Sequence, residues 1–337
     1  MPWQRELVKP LCPMKKTNLP FPFPINASSK PLHKEKTLRL SLWARVLLVL
    51  ALRAISAFAY LDRTEPPLIL AHRAGALVVP ENTIEGWAES RIRYQPDVWE
   101  LDVHLTEDDS LVVIHDEAVD RTTNGSGLVR EMTYTQIRSL DAGFWFTPDS
   151  GKTYPWRGKG LRIPTIGQVF DSFPDDNFNI EIKDSVPDAA NRIVSLIREK
   201  NMQEKVLVAS VYTDVLKRVR QLDPSLPTSG SEDEIRPLVI LGKMGLGFLA
   251  RTPMDAVQVP EYSGSIHVVT PGFVKRCHRK GIQVHVWTVN DAEAIKRLLE
   301  MSADGIITDR PDVADRVAKT MGFREFPRNT PPVTPHP

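Results

Sequence analysis

Cysteine is nearly absent from this chain: its 337 residues hold only Cys12 and Cys277, far apart. Two distant thiols build neither a disulfide framework nor a metal-ligand cluster. Net charge is missing too, since 43 Lys and Arg against 42 Asp and Glu leave a formal +1. Nothing global therefore points to nucleic acid as a partner. No Gly-x-Gly-x-x-Gly follows the first strand-like run, which argues against a dinucleotide-binding sheet. One stretch lacks acids altogether. From Leu38 to Leu61 there is no Asp or Glu, and Val46 to Leu52 is an unbroken apolar run.

A helix over residues 40–61 would be about 33 Å long, enough to cross a bilayer. Arg53 near its middle opposes insertion by roughly 2.5 to 3.5 kcal/mol. Ala57-Phe58-Ala59 also fits the small-x-small pattern of a signal-peptidase site. The sequence thus predicts a transmembrane anchor or signal segment over 37–62, with a soluble amphipathic helix as the alternative. The chain beyond residue 62 would be membrane-anchored outside the cytoplasm, or secreted or periplasmic if 38–59 is cleaved. Residues 1–36, rich in proline and lysine, read as a disordered basic tail, and 321–337 as a disordered Pro-rich tail.

Between the tails, apolar runs alternate with amphipathic stretches. The strand-like runs are 68–71, 98–106, 111–115, 177–183, 206–211, 227–229, 256–259, 282–289 and 305–308, mostly followed by helical patterns. Their number and spacing predict an α/β protein, a (β/α)8 barrel over 66–320. An insertion over about 117–160 interrupts it, loop-like and rich in Gly, Thr, Asp and aromatics.

The most informative run is Glu100 to Asp116. Side chains alternate along a strand, so Glu100, Asp102 and His104 share one face, with Trp99, Leu101, Val103 and Leu105 on the other. A polar turn at 107–110 leads to a second strand that delivers His115. A solvated edge strand is the bland alternative. Barrel active sites sit at the C-terminal strand ends. Those ends here carry His72 and Arg73, Glu100 and Asp102, His115, Glu181 and Lys183, and Trp287. Glu100, Asp102 and Glu181 offer oxygens to Ca²⁺ or Mg²⁺. Arg73 and Lys183 can hold a phosphate. His72 and His115 can divide general acid and base duties. The set predicts metal-assisted cleavage of a phosphodiester.

Several ordered motifs then resemble the glycerophosphodiester phosphodiesterase family. They are Ala-His-Arg-Ala-Gly at 71–75, Pro-Glu-Asn-Thr at 80–83, the Glu100 to Asp108 run, His115-Asp116, Asn-Ile-Glu-Ile-Lys at 179–183, Val-Trp-Thr-Val-Asn at 286–290 and Asp-Gly-Ile-Ile-Thr-Asp at 304–309. The resemblance implies a phospholipase C-like TIM barrel. It implies hydrolysis of glycerophosphodiesters to glycerol 3-phosphate and an alcohol, with a divalent cation. By position, His72 and His115 match catalytic histidines, and Glu100, Asp102 and Glu181 metal ligands, with His115 a further possible ligand. Arg73 and Lys183 match phosphate-binding positions, and Trp287 the aromatic at the glycerol end. Glu81 matches a supporting acid, expected to orient a histidine. The expected partner is a small glycerophosphodiester or, in the alternative, a lysophospholipid cleaved at a membrane reached through 38–61. A catalytically dead membrane-bound binding module is the remaining reading. Where the family has His-Arg-Gly, Ala74 stands here. Ala resists positive φ, so Gly75 is expected to take any bend.

Overall fold

The computed structural model describes residues 67–325. The two readings of 38–61, the 1–36 tail and most of the C-terminal tail lie outside the described residues. Among the described residues, no helix is long and apolar enough to cross a membrane.

In chain order the elements are β1 (Leu68–His72), α1 (Ile84–Tyr94), β2 (Val98–Leu105), β3 (Leu111–Val113), α2 (Tyr134–Arg138) and α3 (Ile166–Ser172). Then come β4 (Phe178–Ile182), α4 (Pro187–Glu199), β5 (Val206–Ala209), α5 (Thr213–Leu222), α6 (Glu232–Lys243) and β6 (Ala256–Val259). A small hairpin, β7 (Tyr262–Ser263) and β8 (Ile266–His267), precedes α7 (Pro271–His278). β9 (Gln283–Val286), α8 (Ala292–Glu300), β10 (Gly305–Thr308) and α9 (Pro311–Thr320) complete the set.

The parallel order is β5-β4-β2-β1-β10-β9-β6. The 227–229 run, expected as a strand, shrinks to two parallel bridges, Val208 with Thr228 and Ser229 with Ala256. Those bridges join β5 to β6 and close the ring, so the fold is a (β/α)8 barrel. β3 is not one of its staves. β2 runs on past its neighbours, turns, and is met by β3 antiparallel, with Val103 opposite Val113. His115 therefore arrives on a returning hairpin and not, as the strand pattern predicts, at a barrel strand end.

Period-two alternation sorts the strands. Trp99, Leu101, Val103, Phe178, Ile180 and Ile182 face the helix layer with Ile193, Val194 and Ile197 of α4. Leu68, Leu70, Val98, Leu207, Ala209, Ala256 and Ile307 plug the lower interior. Every residue of β2 is buried, which disposes of the solvated edge strand. Gly305 is needed at the plug: a Cβ there would meet Leu70 and the ring of buried His285 at 2.7 and 2.8 Å.

The insertion is more ordered than a loop. Its Val119, Val129, Ile137 and Ala142 form a small core with Val112, Ile114, Leu161 and Ile163 of the flanking chain. Arg157 lies over the rings of Phe144 and Tyr154, 4.2 and 3.9 Å from their centroids. The predicted tail also starts later than 321. Arg324 pairs with Asp97 and with Asp315, stitching the chain to the base of the barrel.

Candidate active site

The parallel ladders assemble the site. In β1–β2 register His72 stands beside Glu100, and in β2–β4 register Asp102 stands beside Glu181. Glu100 and Asp102 are two apart and share the interior face. Ligand oxygens of Glu100, Asp102 and Glu181 all lie within 4.8 Å of one another.

His72 ends β1. Its Nδ1 is 2.6 Å from Oδ1 of Asp309, and its Nε2 is 3.8 Å from Oε2 of Glu100. Asp309 is itself held, accepting from Asn290 Nδ2 at 2.8 Å, while Asn290 Oδ1 accepts the Asp309 backbone N–H. Burial works against charging His72, but the Glu100 charge and the Asp309 hydrogen bond outweigh it and raise its pKa. His115 is about a third exposed. Its Nδ1 is 2.6 Å from Oδ1 of Asp116. Here burial wins over Asp102 and Asp116, and the pKa falls. The hairpin brings it down beside the carboxylates, with the Ile114 N–H donating to the Asp102 carbonyl at 3.1 Å.

The cations rest on the carboxylates. Lys183 Nζ is 3.0 Å from Asp102 Oδ1 and 2.8 Å from Glu181 Oε2. Arg73 Nε is 3.2 Å from Asp102 Oδ2. Burial opposes ionising Asp102, yet Lys183 and Arg73 pull its pKa below the usual range. Glu100 is less well compensated, by His72 at 3.8 Å and more weakly by Lys183. Burial, reinforced by the Asp102 charge, pushes it up to about 8. Three hard oxygen donors, one of them ionised only reluctantly without more positive charge, suit a divalent cation.

Arg73 is placed by an unusual turn. Arg73, Ala74 and Gly75 have φ of 51, 75 and 99°, three left-handed residues in a row. Ala74 therefore takes the bend itself, contrary to expectation, at a cost of roughly 1 to 2 kcal/mol for a residue with a Cβ. The turn is held from outside: the Arg73 N–H donates to both the carbonyl and Oε2 of Glu100, at 2.9 and 3.2 Å. Gly75 has no freedom to be anything else, since a Cβ would sit 2.9 Å from Cγ of Pro311.

Among the described residues Glu81 pairs with arginines and not, as expected, with a histidine. Arg73 reaches it at 3.4 Å, and Arg121 makes a fork of 2.7 and 2.8 Å. Arg121 also binds Asp116, at 2.6 Å. One guanidinium thus braces the Arg73 side and the His115 side together. Trp287 follows β9, its N–H donating to the Val259 carbonyl at 3.1 Å. It continues the face of His285 to the mouth and is 45% exposed. His104, on the Glu100 face, is buried between Asp184 (3.0 Å) and the His115 carbonyl (3.1 Å) and touches none of the cluster.

Sequence reasoning missed Asp309, Asn290, Arg121 and Asn82 as site residues. Asn82 donates to Asp102 at 3.4 Å, while the neighbouring Thr83 caps α1. The available signal was position: Asp309 lies two residues beyond interior Ile307, as His72 lies two beyond Leu70.

Residues 72–313 match the model of the glycerophosphoryl diester phosphodiesterase family. The chain belongs to this family. A glycerophosphodiester phosphodiesterase of Caldanaerobacter subterraneus is 34% identical over 267 residues, covering 76% of this chain and 99% of that one. A human lysophospholipase D is 24% identical over 269 residues, covering 72% and 83%. The crystal structure of an Oleispira antarctica phosphodiesterase holding its product sn-glycerol 3-phosphate shares the fold, with TM-score 0.60 and 20% identity over 75% of this chain and 97% of that one. As a member of the glycerophosphodiester phosphodiesterases, the chain is a phosphoric diester hydrolase.

Proposed function

We propose that the chain hydrolyses glycerophosphodiesters to glycerol 3-phosphate and an alcohol, with His72 and His115 as the proton-transfer pair. The observation that carries this is their symmetry: each holds Nδ1 2.6 Å from a carboxylate, and they flank one three-carboxylate cluster. With Nδ1–H donated to a carboxylate, Nε2 of each ring is the atom left to face substrate. His115, whose pKa is lowered, suits the base that takes a proton from the attacking water as its oxygen bonds to phosphorus. His72, whose pKa is raised, suits the acid that protonates the departing alcohol oxygen as its bond to phosphorus breaks.

Glu100, Asp102 and Glu181 would hold a divalent cation, Ca²⁺ or Mg²⁺. Such an ion supplies Lewis-acid polarisation of the phosphoryl oxygens. Arg73 and Lys183 neutralise the carboxylates in the resting site and can turn to the phosphate when it enters. Trp287 offers an aromatic face at the mouth for the glycerol end.

Replacing either histidine by alanine should lower glycerol 3-phosphate release from glycerophosphocholine by about a hundredfold or more, with the circular dichroism spectrum unchanged. Near wild-type turnover in either variant overturns the assignment. A lysophospholipase D activity is the second reading, supported by the human relative of that name and by exposed Trp145 on the insertion. Faster turnover of lysophosphatidylcholine than of glycerophosphocholine would select it.

A further inference from the structure

The end of the barrel opposite the mouth carries an apolar strip that the reaction does not use. α6 buries Ile235, Leu238 and Gly242 against the sheet. Its outer face and the turn beyond it expose Ile240, Met244, Leu246, Phe248 and Leu249, with Met244 65% and Phe248 73% accessible. The strip is built, not frayed. A Cβ at Gly242 or Gly247 would strike the Arg276 side chain at 2.6 or 2.5 Å, so both glycines let the turn close over that arginine.

The charge around the strip has one sign. From Ile235 to Met254 there is no Asp or Glu. Lys243 and Arg251 are exposed within the same segment and Arg276 lies under its turn, and among the described residues none of the three forms an ion pair. Exposed large apolar groups beside unpaired cations match the interface of an anionic bilayer, which takes up apolar side chains and attracts Lys and Arg. A second copy of this chain fits poorly, because a two-fold contact would set these cations against themselves.

The topology places the strip at the end of the barrel where its first strand begins. A barrel helix runs from the mouth back to the base, so the C-terminal end of α6 lies at the base. β1 also begins there, with Leu68 beside Gly305, the first residue of β10. In sequence, the acid-free apolar stretch 38–61 ends only a few residues before that strand. We propose that the base of the barrel docks on an anionic lipid surface through the 240–251 strip. The mouth then faces water, about 18 Å away by the length of α6.

The test is hydrogen exchange on the full chain, alone and with vesicles of phosphatidylcholine containing phosphatidylglycerol, or of phosphatidylcholine only. Amides of 240–250 should be protected by the anionic vesicles alone. In Lys243→Glu/Arg251→Glu that protection should vanish, with vesicle affinity of the strip lowered at least tenfold and hydrolysis of glycerophosphocholine unchanged. Phe248→Ser/Leu249→Ser should lose the protection as well. Vesicle binding that leaves 240–250 exchanging freely overturns the proposal, since the contact then lies elsewhere. So does equal protection on neutral vesicles. Protection that rises with protein concentration without lipid would assign the strip to self-association instead.

Discussion

His72 takes its carboxylate from 237 residues away, whereas His115 takes its own from the next residue. The distant partner is the better fixed. Asp309 is aligned by the β1–β10 ladder and gripped by Asn290, and His72 and Asp309 are both largely buried. The near partner sits on a hairpin outside the ring. Asp116 and His115 are each 32% exposed, and Asp116 is steadied by Arg121, 46% exposed. Proximity in sequence supplies an acceptor without supplying its orientation. The ring half obtains orientation from backbone pairing, the hairpin half from charge in water.

That contrast can be tested from both ends. The largest effect is expected at Asp309→Asn, which removes the charge facing His72 Nδ1–H and leaves one amide oxygen for two donors, His72 and Asn290. kcat for glycerophosphocholine should fall about a hundredfold with KM little changed. Arg121→Met should cost about tenfold or less, because exposed ion pairs are weak and screened. Raising salt should slow wild type towards Arg121→Met while leaving Arg121→Met itself indifferent. If Arg121→Met matched Asp309→Asn, the two halves would not differ as described.

A smaller effect is expected at Asp116. Burial opposes its ionisation, but Arg121 and His115 hydrogen bonds hold its pKa at about 2. Against an unfolded value of about 4, its contribution to stability is complete above that value and is lost as pH falls from about 4 through 2. Thermal melts of wild type and Asp116→Asn should therefore converge across that window; a constant gap would show that the hairpin pair does not act through this charge. The smallest effect is at Ala74. Glycine would relieve roughly 1 to 2 kcal/mol of left-handed strain. It would forgo about 0.8 kcal/mol of methyl burial and about 0.4 to 1 kcal/mol of chain entropy. Chemical denaturation should place Ala74→Gly within about 1 kcal/mol of wild type.

Much of the ring was legible in the sequence. Alternation in 98–105 separates the carboxylate face from the core face, and the strand ends brought His72, Glu100, Asp102, Glu181 and Lys183 together. The hairpin that returns His115 was legible as two strands and a turn, though not as a departure from the ring. Cross-chain partners were not. Nothing local distinguishes Asp309 from an aspartate that merely precedes a helix, and no spacing announces that Arg121 joins Glu81 to Asp116. Backbone strain was misread because a local rule, that alanine avoids positive φ, yields when Glu100 grips the turn from a neighbouring strand. The 227–229 strand was legible, but its reduction to two bridges reflects where β5 and β6 already lie.

The pairing of His72 with Asp309 also sets a clock on synthesis. By residue 181 the ribosome has made both histidines and the three clustered carboxylates. Their geometry waits for the last stave, since β10 closes on β1 and brings Asp309 with it. At roughly 5 to 20 residues per second, that interval lasts on the order of ten seconds. A nascent chain stalled within it carries a full inventory of reactive groups and no working arrangement of them.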